Sequence, residues 1–317
     1  MGRFLAAPDR RLNSFDASIL TPGPDLKRPL FFDYSSLAKL RVSGADAFRF
    51  LNGQITNDLR KATETSTIEA SILNAKGKLS AHVFISVESD GAFLMSADGD
   101  LREELPARLE RYIIADDVRV EDVSDGFSIL HFVAEAAPAP TAAVKTMASN
   151  RLGSSGWDTW WNRAPEEELR RPFLQQFTFC DAVCAEVLRI ERGIPRWGRE
   201  LTNEIIPVEA NLEARSIDYE KGCYIGQEVI SRIKMSGQLN KRLCGLVSLD
   251  NVPVDPETRL TSETDSGKDT GWITSAAKSA RLGSHIALGY VKRGFNETGT
   301  RLLAGGNPVQ VASLPFV

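Results

Sequence analysis

Residues 221–232, which read KGCYIGQEVISR, are the most informative stretch of the chain. Gly222 and Gly226 flank Cys223, so the backbone is free to turn tightly and to leave the thiol uncrowded. From Gly226 onward the apolar residues recur at helical spacing, which predicts a helix that starts just after the cysteine. A helix N-terminus and a nearby Lys221 both favour a thiolate. Cys223 is therefore a candidate reactive thiol, and a small structural cysteine in a glycine turn is the alternative.

The residues before this stretch mix helical and strand patterns. The spacing predicts a helix over 45–52 that stops at Gly53, and a strand over Ile68–Leu73. Asp98 or Asp100 is a candidate cap for a helix that Pro106 would kink. Apolar residues over 173–190 predict a second long helix. The N-terminal half is therefore expected to be α+β.

The residues after 243 have a different pattern. Short apolar runs alternate with clusters of Gly, Pro and Asp at even spacing. Such spacing is typical of a small all-β barrel or sandwich. Residues 1–29 carry four prolines and two glycines with little periodicity, which favours an extension.

Composition excludes some classes of protein. The 317 residues include 38 basic and 42 acidic side chains, a formal net charge of −4. This balance argues against a nucleic-acid binder held by bulk charge, so no direct nucleic-acid partner is expected. No segment approaches the roughly 18–20 apolar residues that span a bilayer, so no membrane association is expected.

The cysteines bear on compartment and on metal binding. Only four are present, at 180, 184, 223 and 244, too few and too clustered for an extracellular disulfide framework. We therefore expect a reducing, cytoplasmic location. Cys180 and Cys184 are spaced to face one side of a helix, which permits metal ligation, but no second pair has ligand spacing. No dedicated metal site is expected.

The stretch KGCYIGQE, together with Ser231 and Arg232, resembles the signature of the YgfZ-type proteins. These are folate-binding relatives of the glycine-cleavage aminomethyltransferase, or T-protein. Three further segments are similar to family motifs in the same order: FLNGQITND at 50–58, LRIERGIP at 188–195 and IPVEANL at 206–212. The resemblance extends over roughly residues 30–315.

The resemblance implies an α+β clover-leaf, in which two α+β (GcvT-like) domains and a C-terminal β-barrel surround a central channel. The expected borders are an extension over 1–29, a first domain over 30–135, a second domain over 136–240 that carries the signature, and a barrel over 241–317.

The resemblance also implies a folate site, with tetrahydrofolate or a one-carbon derivative as the cofactor. A pterin edge presents two parallel N–H donors that one carboxylate accepts in a bidentate way. Glu191 matches the glutamate with which T-proteins anchor the pterin, and an ion-paired glutamate is the alternative. Tyr224 and Gln227 are further candidates, although core packing is the commoner role of a tyrosine. Arg232 is a candidate for the folate tail carboxylates, or part of a solvated helix face.

One departure from the T-proteins concerns catalysis. T-proteins carry an Asp-Asp pair after a Gly-x-Leu, and a carboxylate there assists methylene transfer. Alignment of residues 77–79 places Ser80 and Ala81 at those positions. The preceding residues, NAKGK at 74–78, are similar to a stretch typical of the YgfZ group, where two lysines on a glycine turn meet an anion or only solvent.

Three functions follow as hypotheses. The first is a tetrahydrofolate-binding accessory protein that supports iron–sulfur cluster assembly or repair, with iron–sulfur enzymes, including radical tRNA-modifying ones, as client proteins. In it, Cys223 is a redox or transfer thiol, Lys221 favours its thiolate and Glu191 holds the pterin. The second is a folate-dependent aminomethyltransferase or methyltransferase of the T-protein type, which Ser80 and Ala81 weaken. The third is a scaffold in which Cys223 is structural.

Overall fold

The structure is a computed structural model that describes residues 28–139, 143–265 and 267–317. Within these residues the strands are β1 (Leu30–Asp33), β2 (Ala38–Ser43), β3 (Ile68–Leu73), β4 (Leu79–Val87), β5 (Phe93–Ala97), β6 (Arg119–Asp122), β7 (Phe127–Val133), β8 (Lys145–Ser149), β9 (Gly156–Asn162), β10 (Thr178–Phe179), β11 (Lys241–Ser248), β12 (Arg259–Ser262), β13 (Asp269–Ser279), β14 (Ser284–Lys292), β15 (Arg301–Ala304) and β16 (Asn307–Ala312). The helices are α1 (Ala47–Gln54), α2 (Glu104–Glu110), α3 (Glu166–Arg170), α4 (Ala182–Glu191), α5 (Glu213–Ser216) and α6 (Gln227–Ser236).

The first sheet has the order β3-β4-β5-β2-β6 and is antiparallel throughout. Helix α1 covers this sheet and buries Ala47, Phe50 and Leu51, whose spacing of three and four residues from Ala47 places them on one helix face. The strand predicted over Ile68–Leu73 is present with those bounds. The stop predicted at Gly53 is wrong by one residue, because α1 continues to Gln54. The helix therefore delivers its C-terminal carbonyls next to the candidate site.

The second sheet has the order β10-β1-β7-β9-β8. Strand β1 runs parallel to β10 and antiparallel to β7. A cluster of aromatic rings fills one face, with the Phe132 ring centroid 4.8 Å from that of Phe173 and 5.0 Å from that of Phe177. Strands β1 and β7 lie N-terminal to the expected domain border at residue 135 but pair within the second sheet, and the border itself stays a prediction.

The helix predicted over 173–190 is shorter than expected. Residues 178–179 form β10, which pairs with β1, and α4 begins only at Ala182. Asp181 fixes this start, because its carboxylate accepts a hydrogen bond from the Cys184 backbone N–H at 2.9 Å. Phe173 and Phe177 point into the aromatic cluster instead. Tertiary packing therefore outweighs the helical periodicity of this segment.

The helix predicted after Asp98 is divided in two. Asp98 caps a short 3-10 turn over Gly99–Leu101, and α2 follows from Glu104. Pro106 lies in the first turn of α2, where its backbone nitrogen has no intrahelical partner to lose. Pro106 therefore lies at the start of a separate helix and does not kink a longer one.

The C-terminal strands form a closed barrel in the order β11-β14-β13-β12-β15-β16. This confirms the predicted all-β domain and leaves none of its six strands at an open edge. One buried cluster joins the barrel to the first sheet and to α4, since Leu288 of β14, Leu73 of β3 and Ile190 of α4 all belong to it. In the described residues no helix is long and apolar enough to cross a bilayer.

Candidate functional site

The signature loop connects α5 to α6 and carries Cys223 on its surface. Cys223 is a free, exposed thiol. Helix α6 begins at Gln227, so the predicted helix just after the cysteine is present. Gly226 is its N-cap residue and has a left-handed backbone with φ of +85°. The loop therefore presents the thiol to solvent ahead of a helix N-terminus.

Lys221 anchors this loop to the end of α1. Its side chain is buried, and its ammonium donates hydrogen bonds to the backbone carbonyls of Asn52, Ile55 and Asn57 at 2.6, 2.6 and 2.8 Å. Burial lowers the pKa of Lys221 to about 8. All three ammonium donors are used by carbonyls, so none remains for the thiol of Cys223. Lys221 therefore holds the signature loop against the end of α1, and the thiolate-supporting role expected from the sequence stays a prediction.

Asp218 shapes the same loop. Its carboxylate accepts hydrogen bonds from the backbone N–H groups of Glu220 and Lys221 at 2.7 and 3.2 Å. It also pairs with Lys61 at 2.7 Å, and the Lys61 hydrogen bond is the main reason that the pKa of Asp218 is lowered. Its own backbone N–H donates to the carbonyl of Thr56 at 3.0 Å. Residues 50–58 and the signature therefore form one hydrogen-bonded unit.

The β3–β4 turn packs against the opposite side of the loop. A Cβ atom added to Gly77 would lie 2.8 Å from the Cβ of Val229. One added to Gly226 would lie 2.7 Å from the carbonyl oxygen of Asn74. Real Cβ atoms do not tolerate these distances, so both contacts require glycine. The structure thus brings together three segments that the sequence analysis singled out: 50–58, 74–78 and 221–228.

The two lysines of the turn differ in their surroundings. Lys78 forms an ion pair with Glu204. Lys76 is exposed, and only its backbone N–H is used, by the Oδ1 atom of Asn74 at 2.9 Å. Asn74 Oδ1 also accepts from the backbone N–H of Lys78, which closes the turn. The asparagine therefore holds the turn, and the lysines lie on its outer side.

The other signature candidates are not all gathered at the thiol. Tyr224 is buried in the cluster that joins the first sheet, α4 and the barrel, and burial raises its pKa to about 12. Gln227 is half-buried, and its backbone N–H donates to the Tyr224 carbonyl at 3.2 Å. Arg232 is 71% exposed and pairs with Glu228, which is 84% exposed. Arg232 therefore lies on a solvated helix face, the alternative considered for it.

Glu191 is the last residue of α4 and is buried against the barrel. Its Oε1 accepts a hydrogen bond from the hydroxyl of Ser279 at 2.5 Å, and its backbone carbonyl accepts one from the Phe316 N–H at 2.8 Å. No described residue donates a hydrogen bond to its second oxygen, Oε2. A carboxylate that is fixed at one oxygen and free at the other retains acceptor capacity for a ligand with paired N–H donors.

Sequence reasoning missed the network around Arg189, two residues before Glu191. This buried guanidinium donates to Glu186, to Glu200 at 2.9 Å and to Ser275 of β13 at 2.5 Å. Ser275 in turn donates to Glu200 at 2.6 Å. The network fastens α4 to the barrel, and the signal for it was the arginine of the 188–195 motif, whose role the sequence alone did not give.

The positions aligned with the T-protein Asp pair hold no acid. Ala81 lies inside β4 and is fully buried, opposite Ile72 of β3. Ser80 is half-buried on the same strand. No carboxylate is therefore available at these two positions to assist transfer at a folate carbon.

Cys180 and Cys184 are joined in a disulfide, with their Cα atoms 5.3 Å apart. The metal-ligating alternative for this pair is therefore excluded in this state of the protein, since both sulfur atoms are bonded to each other. Among the described residues, no group of three His, Cys, Asp or Glu side chains is arranged to hold a metal ion.

Two surface clefts border these elements. One, of about 520 Å³, lies beside the signature loop and is lined by Asp58, Arg60 and residues 217–220, among others. The other, of about 440 Å³, lies between the β3–β4 turn, residues 199–209 and the barrel, with Lys78, Glu209, Lys241 and Trp272 among its lining residues. Neither includes Glu191 or Cys223, so the clefts do not themselves connect the two candidate groups.

Comparisons with known proteins agree with this architecture. The GCVT N-terminal domain model matches residues 28–139, and the glycine cleavage T-protein C-terminal barrel domain model matches residues 241–317. The crystal structure of the glycine cleavage system aminomethyltransferase T from Bartonella henselae has a TM-score of 0.79 and 18% identity, and the match covers 92% of this chain and 86% of that one.

Two curated relatives are named for tRNA modification and for iron–sulfur cluster assembly. The tRNA-modifying protein YgfZ of Klebsiella pneumoniae is 28% identical, over 75% of this chain and 77% of its own length. The mitochondrial iron-sulfur cluster assembly factor IBA57 homolog of Pyricularia oryzae is also 28% identical, over 74% of this chain and 66% of its own length. The GcvT-like fold and the two domain models together place the chain in the glycine-cleavage T-protein family.

Proposed function

We propose that this protein binds tetrahydrofolate, or a one-carbon derivative of it, and supports the assembly or repair of iron–sulfur clusters in client enzymes. Two kinds of support exist. The names of the relatives refer to tRNA modification and to iron–sulfur cluster assembly. The single observation that carries the folate half is the buried carboxylate of Glu191, whose Oε1 is held by Ser279 while Oε2 has no described partner.

The donor set of a pterin fits this carboxylate. The 2-amino group and the adjacent ring N–H of a 2-amino-4-oxo pteridine are parallel donors, and a carboxylate has about four acceptor positions over its two oxygens. Ser279 uses one of them. Bidentate acceptance by Glu191 therefore remains available, and a buried charge-assisted pair is stronger than a neutral one. When bound, the folate would supply one-carbon chemistry, whereas Glu191 would only orient it.

Cys223 is the group through which we propose that the protein meets its clients. Its thiol is exposed, and its loop is fixed by Lys221 and Gly226. An exposed thiol on a rigid loop is better placed to contact a second macromolecule than to react inside a closed pocket. The enzymatic alternative, aminomethyl transfer of the T-protein type, lacks the acid that Ser80 and Ala81 replace.

The folate half is tested by calorimetric titration of tetrahydrofolate into the purified protein without oxygen. Glu191→Gln keeps the Ser279 hydrogen bond but loses the charge and one acceptor, so affinity should fall by about 1–3 kcal/mol. Glu228→Gln, which neutralises a glutamate that is 84% exposed, is the matched control and should bind as the wild type does. Absence of binding by the wild type would contradict the proposal that this protein binds tetrahydrofolate.

The proposed role in supporting iron–sulfur client enzymes is tested in cells that lack this protein. Wild-type protein should restore the activity of an iron–sulfur tRNA-modifying enzyme, and Cys223→Ser should not, although it folds and binds tetrahydrofolate normally. Full restoration by Cys223→Ser would favour a structural cysteine. Incubation with an aminomethylated carrier protein and tetrahydrofolate distinguishes the enzymatic alternative from the accessory role. Formation of methylene-tetrahydrofolate would establish transfer chemistry and contradict a purely accessory role.

A further inference from the structure

The disulfide between Cys180 and Cys184 lies at the junction of β10 and α4. The backbone N–H of Cys180 donates to the Phe31 carbonyl at 2.9 Å, which continues the pairing of β10 with β1. Cys184 lies in the first turn of α4, where its backbone N–H is capped by Asp181. The bond therefore spans the N-cap and ties the start of the helix directly to the second sheet.

The two sulfur atoms differ in their access to solvent. Cys180 is 2% exposed and belongs to a buried cluster with Leu30, Phe32 and Leu188. Cys184 is only partly buried and packs against the edge of that cluster. A small thiol in solution therefore reaches Cys184 first, and Cys180 is the sulfur that leaves.

Stabilisation of the fold does not account for this bond. A crosslink stabilises in proportion to the chain entropy that it removes from the unfolded state, and that term is smallest for short loops. Only four positions separate Cys180 from Cys184. The buried contacts of Leu188, Arg189 and Ile190 already hold the second half of α4. The effect of the bond is thus confined to the first turn of the helix.

We propose that Cys180 and Cys184 form a reversible thiol–disulfide exchange site whose reaction partner is a low-molecular-weight thiol of the glutathione class. In the reducing compartment that the cysteine content predicts, disulfides are generally transient and redox-sensing rather than structural. The site is separate from Cys223 and from Glu191, so it does not depend on the proposed function.

The exchange takes two steps. A thiolate of the small partner attacks Sγ of Cys184, which forms a mixed disulfide and releases the Cys180 thiolate; that thiolate then takes a proton. A second small thiol attacks the partner's sulfur in the mixed disulfide, which releases Cys184 as a thiol and the partner as its own disulfide. Two electrons pass from the two small thiols to the protein bond, and the reverse sequence restores it.

The experiment equilibrates the full chain in buffers with different ratios of reduced to oxidised glutathione, quenches it with acid, alkylates it and maps the cysteines by mass. Cys180 and Cys184 should change together as a two-electron couple, with the disulfide-to-dithiol ratio changing tenfold for each 30 mV or so. Cys244, which is buried in the barrel, should stay reduced, and Cys244→Ser should leave the transition in place.

Three outcomes would overturn the proposal. In the first, Cys180 and Cys184 remain thiols even in the most oxidising buffer. In the second, the bond resists the most reducing buffer in the folded protein, which identifies it as structural. In the third, Cys184 pairs with Cys223 instead of Cys180; repetition in Cys223→Ser detects this, because the transition would then disappear.

A second readout follows the helix itself. On reduction, amides 184–186 should exchange hydrogen several-fold faster, because the start of α4 is freed from β10. Amides 188–191 should not change, since the Arg189 network holds them. The double variant Cys180→Ser, Cys184→Ser should exchange at the reduced rate in every buffer. Equal exchange rates in the oxidised and reduced wild type would contradict any conformational consequence of the bond.

Discussion

Gly226 and Asn74 lie so close together that a Cβ atom on Gly226 would stand 2.7 Å from the Asn74 carbonyl oxygen. This contact joins the β3–β4 turn to the start of α6. It lies three residues from Cys223, on a backbone with φ of +85°. The position of the thiol therefore depends on Gly226 at the start of α6 and on the β3–β4 turn of the first sheet.

Gly226→Ala should destabilise the protein by at least about 1–3 kcal/mol, because alanine is strained at this φ and its methyl group meets backbone. Unfolding in urea measures the change. Gly222→Ala is the matched control. It is next to Cys223, has no positive φ and has open space where its Cβ would lie, so its effect should stay within about 0.5 kcal/mol. Equal losses in the two variants would contradict the close contact.

Lys221→Met should cost about 1–3 kcal/mol, because it leaves three buried backbone carbonyls without their donor. Hydrogen exchange at residues 218–226 should become faster in this variant, since the loop loses its anchor on α1. Lys76→Met removes an exposed lysine from the apposed turn and should change stability by less than about 0.5 kcal/mol. An unchanged hydrogen-exchange rate at these residues in Lys221→Met would contradict the anchoring role and favour the role of a thiolate partner.

The sequence predicts the classes of the three units well, because each has its own periodicity. The strand over Ile68–Leu73, the helix after Cys223 and the closed C-terminal barrel are all present. Long-range pairing escapes such local patterns. Strand β1 pairs with β7 and β10, and all the strands of the first sheet lie between β1 and β7 in the sequence. No local sequence signal predicts this long-range pairing.

The contacts that Lys221 makes could not be predicted from the linear sequence. The signature motif identified Lys221, yet the role expected for its charge was set by sequence proximity to Cys223. The folded chain instead places that ammonium on carbonyls of a helix more than 160 residues away. Buried polar groups are satisfied wherever the tertiary structure supplies acceptors, which the linear spacing does not contain.

Arg232→Gln should leave both stability and folate affinity nearly unchanged. Arg232 is 71% exposed and its ion pair with Glu228 is solvated, and such pairs contribute about 0–1 kcal/mol. Calorimetry with tetrahydrofolate should give an affinity within about twofold of the wild type. A tenfold loss, equal to about 1.4 kcal/mol, would restore Arg232 as a ligand for the folate tail carboxylates.

His131 should make the protein less stable in mild acid. Its ring is fully buried, and its Nδ1 lies 2.8 Å from Asp158 Oδ1, which in turn pairs with Arg151. Burial lowers the pKa of His131 despite this carboxylate, so the folded protein keeps the ring neutral where the unfolded chain takes up a proton.

The sign of the pH dependence follows from that difference. The unfolded state binds more protons below a pH of about 6.5, so the free energy of unfolding should fall there by up to about 1.4 kcal/mol per pH unit. Urea unfolding at several pH values between 5 and 8 measures the slope. His131→Gln should be less stable at neutral pH but have a shallower slope. His285→Gln, at a half-buried position on the barrel, should retain most of the wild-type slope. A slope that is unchanged in His131→Gln would assign the acid sensitivity to other groups.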